Sequence, residues 1–233
     1  MPSGLQPGAD HDHGGNLGAP MRVSREFVFA AVADERRQLA TLLDGLNAAQ
    51  LATPSLCAGW DVKTVAAHVI STVTDGTSAF LRLALRRRSM ARAIDELARR
   101  GAQLPAAEVA ASLRQCADRR ISPPLFGPLD PLADVLVHSG DIRIPLGLPF
   151  APDPQLAALA MDFLTGPWPF GFVPLVRLRG ISLHADDICR VWRSGAEIRG
   201  PVAALMMAVS GRTALLHLLD GPGLAPLRQR VCS

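Results

Sequence analysis

The chain has 233 residues and a formal net charge of +3, and 48% of its residues are hydrophobic. That length buries a core without covalent staples, so one domain or two small ones are both admissible. Four dispersed cysteines, Cys57, Cys116, Cys189 and Cys232, form no CxxC pair, which excludes a zinc ribbon and a dense disulfide framework and points to reduced thiols in the cytoplasm.

Residues 1–22 are rich in Gly, Pro and Asp and lack the layout of a secretory signal, so they read as a disordered leader whose His11 and His13 are at most a loose metal site. From Ser24, a plausible N-cap, Phe27, Val28, Ala31, Leu39, Leu42, Leu43 and Leu46 recur at helical spacing. A loop over Asn47 to Trp60, broken by Pro54 and Gly59, leads to Asp61, which can cap a second helix running through His68 and past Phe80. Further helical patterns cover Ala91 to Arg100 and Ala106 to Arg119. Another starts near Pro131 and carries Leu132, Val135, Leu136 and His138 to a stop before Pro145, and one more spans Ala151 to Leu164. The texture changes at Gly166, where Pro167, Pro169, Gly171 and Pro174 cluster. Strand-like runs follow at Leu175 to Ala185, Ile188 to Trp192 and Glu197 to Arg199. Pro201 opens the helical segment Val202 to Val209, and after Gly211 a second one covers Thr213 to Leu219, closed by Gly221 to Gly223. The expected fold is therefore mainly α, with a helical bundle over residues 23–165 and a small α+β domain over residues 166–233. No apolar run approaches the ~20 residues a membrane span requires.

Lys63 is the only lysine, leaving 23 of 24 basic residues as arginine (24 − 1). The run Arg82, Arg86, Arg87, Arg88 and Arg92 has no interleaved aromatics and reads as a solvated helix face rather than a nucleic-acid platform.

Asp134 and His138 are four apart on one expected helix and project from nearly the same face, so both can reach one ion. His68 lies in the apolar stretch Val65-Ala66-Ala67-His68-Val69-Ile70, which a bundle turns inward, and it offers a third ligand from a second helix. Two histidines and a carboxylate make up a catalytic zinc set with one open position. The alternative is an i,i+4 hydrogen bond in which Asp134 simply orients His138. Asp141, three after His138, is either the acceptor for a ligand's ring N–H or a surface partner of Arg143. Cys57 reads as a packed thiol or a nucleophile, and His184 and His217 read as structural. There is no GxSxG elbow, GxGxxG turn or P-loop.

Ser55-Leu56-Cys57-Ala58-Gly59-Trp60-Asp61-Val62, followed by Ala66-Ala67-His68-Val69, resembles a signature of the mycothiol-dependent maleylpyruvate isomerase-like proteins, which have a DinB-like metal-binding four-helix bundle. Val137 to Gly147 resembles a second signature, and Gly200-Pro201 through Gly211-Arg212 to Gly223 is similar to the family's C-terminal domain. The resemblance implies metal ligands at His68, Asp134 and His138, with aspartate standing where the characterised isomerase has glutamate, and it leaves Arg212 as either a contact to an anionic group of thiol or substrate or a surface arginine at a helix end. It also implies mycothiol as the low-molecular-weight thiol. On this reading zinc, or nickel or iron in its place, favours thiolate, which attacks a small electrophile. Addition to a conjugated double bond followed by rotation and expulsion isomerises the substrate, whereas displacement of a leaving group makes the protein an S-transferase. The rival expectations are a non-catalytic binding protein stabilised by its metal, and a zinc hydrolase that uses no thiol.

Overall fold

The computed structural model describes residues 23–232, apart from residues 75, 121–126, 168, 170, 171 and 175. The expected leader therefore lies outside the described residues.

Four helices close into a bundle. Helix α1 (Arg25–Asp44) starts where Ser24 Oγ accepts from the Phe27 amide, and it packs on α6 (Ala106–Gln115) and α7 (Leu129–Arg143). Helix α3 (Val62–Thr74) completes the ring against α6 and α7. Its first turn is capped by Asp61 Oδ1, which accepts from the Thr64 amide at 2.7 Å. Buried Arg36 of α1 reaches across to the end of α6, donating to the carbonyls of Ala117 and Arg119 at 3.2 and 3.0 Å. Those carbonyls would otherwise lack helical partners.

Two shorter pieces decorate the ring. Within the expected loop after α1, Asn47 and Gln50 form a reciprocal capping box that starts one turn of helix, α2 (Ala48–Leu51). What the apolar pattern presents as a single helix past Phe80 is two elements, α3 and α4 (Gly76–Arg87). Helix α4 folds back through Arg88, whose φ is 51°, onto α5 (Met90–Gly101). Helix α5 then lies along α3.

After α7, α8 (Pro154–Leu164) is capped by Asp153 and leads into a three-stranded sheet ordered β2-β1-β3. The central strand β1 (Ile181–Ala185) runs antiparallel to β2 (Arg190–Trp192), with Leu183 opposite Trp192, and parallel to β3 (Ala196–Gly200), with Leu183 opposite Ile198. The first strand starts later than the pattern suggests, since residues 176–180 form turns. Helix α9 (Val202–Val209) follows, its first amide bonded to the Asp187 carboxylate at 3.0 Å. The apolar stretch after it yields only a 3-10 turn at Leu216–Leu218. A last helix, α10 (Leu224–Cys232), forms where none is expected, because the glycines at 221 and 223 lead into a helix as well as closing the segment before them.

A single apolar cluster runs from Val28 in α1 to Leu227 in α10, and α8 and α9 join the bundle to the sheet. A close approach is at Gly140 of α7, where an added Cβ would sit 2.8 Å from the Met207 side chain of α9 and 3.0 Å from Phe150. Small size at this position lets the C-terminal part press against the helix that carries Asp134 and His138. Gly140→Val is expected to cost about 2 kcal/mol of unfolding free energy by overpacking, despite valine's better helix propensity. Denaturant unfolding checks this, and an unchanged midpoint would show that the contact is slack.

Candidate metal centre

Three side chains from two helices meet inside the bundle. His68 projects from the middle of α3, and Asp134 and His138 project one turn apart from α7. Asp134 Oδ1 lies 3.6 Å from His68 Nε2 and 3.4 Å from His138 Nε2. The two imidazoles are buried and meet edge to face, with centroids 4.8 Å apart, while Asp134 keeps part of its surface exposed. Both nitrogen–oxygen distances exceed the ~2.9–3.0 Å usual for N–H···O bonds. They match the roughly 3.4 Å that separates two ligands each about 2.1 Å from a tetrahedral ion. The donors thus fit a divalent cation better than they fit one another. The aspartate, although one methylene shorter than glutamate, lies within 3.6 Å of a nitrogen of each histidine.

The other nitrogen of His138 is also held. Asp141 is 0% exposed, and its Oδ2 lies 2.9 Å from His138 Nδ1. Burial opposes charge on Asp141, but His138 and Arg212 hold its carboxyl well below the usual range. An ionised carboxylate only accepts, so Nδ1 carries the proton and Nε2 is the nitrogen turned to Asp134. Burial likewise works against charge on His138, yet Asp134, Asp141 and Cys57 raise its pKa well above the ordinary imidazole value. Asp134 follows the same logic: burial pushes it up, and the two histidines bring it well below an ordinary carboxyl. Without a cation, His138 is a proton-bearing link between two anions.

Asp141 is not a surface partner of Arg143, which donates instead to Ser139 Oγ at 3.2 Å. Its partner is Arg212, delivered from the far end of the chain. Gly211, at φ 91°, ends α9, and the Arg212 amide bonds back to Met207 O. The guanidinium then grips Asp141 with two parallel bonds, Nε to Oδ1 at 2.9 Å and Nη2 to Oδ2 at 2.6 Å, while Nη1 donates to Ser210 O at 2.6 Å. Desolvation disfavours its charge, but Asp141 more than compensates, and the pKa rises above the usual arginine value.

Cys57 completes this second layer. Its Sγ lies 3.0 Å from Asp141 Oδ2, 3.3 Å from Arg212 Nη2 and 3.7 Å from His138 Nδ1. Cys57, His138 and Asp141 are near enough to one another to be a metal set in their own right. Arg212 argues against that use, because a guanidinium already supplies the positive charge those atoms would offer an ion. The loop bearing Cys57 is pinned on both sides. The Leu56 amide donates to Asp141 O, Trp60 Nε1 donates to Asp95 on α5 at 2.8 Å, and Arg99 ties Asp95 to Gly59 O. Trp60 then stands against His68 with ring centroids 5.2 Å apart. Neither the place of Trp60 beside His68 nor that of Cys57 beside Asp141 follows from spacing in the chain, although both residues lie in the segment that carries the first family signature. His184 and His217 sit elsewhere, His184 near Glu197 at 3.8 Å and His217 exposed.

One carboxylate nearby has no basic partner among the described residues. Asp130, one turn before Asp134 on α7, is pushed up to about 7 by burial and by the Asp134 charge. A carboxyl with a raised folded-state pKa stabilises the fold below its unfolded pKa and loses that contribution as pH rises through the folded value. Asp130→Asn is therefore expected to stabilise metal-free protein at pH values above about 7 and to change little near pH 4. Melting temperatures at the two pH values check the sign, and equal shifts at both would contradict it. Asp141→Asn leaves Arg212 largely buried without its counter-charge and should cost roughly 3 kcal/mol or more. Chemical denaturation measures this, and a loss below about 1 kcal/mol, the range of an exposed pair, would show the clasp to be weak.

Residues 32–122 match the family described as mycothiol maleylpyruvate isomerase N-terminal domain. No curated protein matches the sequence. Among solved structures, the crystal structure of the mycothiol-dependent maleylpyruvate isomerase superposes with a TM-score of 0.60 at 14% identity, covering 86% of this chain and 93% of that one. A histidine-to-alanine mutant of that enzyme gives the same values. The mainly helical fold with its small sheet is thus shared along most of both chains.

Proposed function

From a chain whose residues 32–122 match the mycothiol maleylpyruvate isomerase N-terminal domain, and whose fold is that of the isomerase, we propose that this protein is a metal-dependent thiol enzyme. In this reading His68, Asp134 and His138 hold zinc or another divalent ion, mycothiol is the co-substrate, and a small electrophile is isomerised or S-conjugated. Residues 23–165 provide the metal-holding unit, and residues 166–233 provide the unit that supplies Arg212. The supporting observation is the spacing of three buried or part-buried donors about one point, at 3.4 and 3.6 Å from Asp134 Oδ1.

A divalent cation bound there would favour the thiolate form of a sulfur ligand over the thiol. The protein's own residues do the rest. Asp141 fixes the tautomer and ring angle of His138, so that Nε2 is the coordinating nitrogen. Arg212 keeps Asp141 ionised and immobile. Trp60 covers one side of His68 and excludes water there. Four of the five Arg212 N–H donors are committed to described residues, and the one remaining among these, on Nη1, is proposed to meet an anionic group of the thiol or the electrophile.

Zinc titration by calorimetry, followed by mycothiol, tests the proposal. Wild-type protein is expected to bind one zinc with proton release, because the ion displaces the proton on His138 Nε2. Mycothiol should then bind only the zinc-loaded form. His68→Ala should weaken zinc binding by about a hundredfold or more while keeping the wild-type circular dichroism spectrum. Zinc affinity unchanged in His68→Ala, or mycothiol binding equally to metal-free protein, would exclude this function.

A further inference from the structure

The hairpin of α4 and α5 ends in a tip whose composition differs from the rest of the surface. Between Gly76 and Ile94 there is no acidic residue, while Arg82, Arg86, Arg87, Arg88 and Arg92 all fall there. The sequence pattern reads this run as a solvated helix face, and the structure adds large apolar side chains standing out among the arginines. Leu81 is 51% exposed, Leu85 78% and Met90 56%. At 100° per residue Leu81 and Leu85 share one stripe of α4, with Arg82 and Arg86 about 80° and 120° to one side of it. Arg88 turns the chain at φ 51° and Ser89 caps α5, which brings Met90 to the same end of the hairpin as Leu85. Arg87 is drawn off by Glu96 at 2.5 Å. Among the described residues no carboxylate forms an ion pair with Arg82, Arg86, Arg88 or Arg92. Helix α4 packs chiefly on α5, which leaves this stripe uncovered.

We propose that this tip docks on an anionic phospholipid surface, with Leu81, Leu85 and Met90 entering the headgroup boundary and the surrounding arginines engaging lipid phosphates. An apolar stripe with a basic fringe has the chemistry of an interfacial helix, and guanidinium groups pair with phosphate oxygens through two parallel bonds. A second copy of the chain fits poorly, because two-fold pairing through this stripe would set the arginines of one tip, Arg82, Arg86, Arg88 and Arg92, against the same four of the other. The lipid surface supplies both things the tip lacks, negative charge and an apolar layer. No part of this depends on the metal centre.

Co-sedimentation of the full chain with vesicles tests the proposal. Vesicles of phosphatidylcholine mixed with phosphatidylglycerol are expected to pellet the protein, phosphatidylcholine vesicles are not, and molar salt should release it. Leu81→Ser combined with Leu85→Ser should weaken binding about tenfold at an unchanged melting temperature. No binding to phosphatidylglycerol vesicles at low salt overturns the proposal, as does binding unaffected by the double substitution in folded protein. Should the double variant misfold, the lipid-charge and salt dependence of the wild type decides alone. Sedimentation velocity showing a dimer that Leu85→Ser disperses would overturn it in favour of self-association, and lipid-independent capture by a purified acidic polypeptide would do so in favour of a protein partner.

Discussion

The site depends on one imidazole held between two carboxylates. His138 faces Asp134 through Nε2 and Asp141 through Nδ1, and each contact decides what the other can do. Because Asp141 is fully buried and held ionised by Arg212, Nδ1 must donate, and Nε2 is the atom left to face the ion or the proton that occupies the centre. Buried carboxylates without such partners would take up protons instead of staying charged. The charge balance of the whole cluster, two histidines, two carboxylates and one guanidinium, is thus closed by a residue more than seventy positions away in sequence, Arg212 relative to Asp141.

That long-range closure explains why the C-terminal elements press so closely on the bundle. Gly140 gives α9 room to approach α7, Gly211 turns the chain at the end of α9, and the two together bring Arg212 to Asp141. The loop with Cys57 and Trp60 closes the opposite side through its bonds to α7 and α5. Packing and electrostatics cooperate here. The apolar cluster that runs through both parts of the chain supplies the low-dielectric surroundings in which the charged contacts carry weight.

Much of this was legible in the residues. The i,i+4 pairing of Asp134 with His138 and the apolar flanks of His68 place all three on inward faces because helical periodicity is a local property. The bundle helices follow from the same signal, and the mainly helical fold with a small sheet is borne out. Long-range pairing was less accessible. Arg143 is the nearer partner for Asp141 in sequence, and only the tertiary fold gives that place to Arg212. Cys57 lies in a loop without periodicity, so nothing local shows that its sulfur meets Asp141 and Arg212. The break between α3 and α4 falls where the sequence reads Thr-Asp-Gly-Thr-Ser over residues 74–78, a turn signal that the helical spacing of the flanking apolar residues outweighs, and α10 is hidden because Gly221, Gly223 and Pro226 are all poor helix residues.

Two donor sets compete in this cluster, and they share His138. X-ray absorption of zinc-loaded, thiol-free protein separates them most directly. Ligation by His68, Asp134 and His138 gives nearest neighbours of nitrogen and oxygen only, at about 2.0–2.1 Å, with imidazole scattering from two histidines. A protein sulfur at about 2.3 Å would assign the ion to Cys57 and Asp141 instead and contradict the role given to His68 and Asp134.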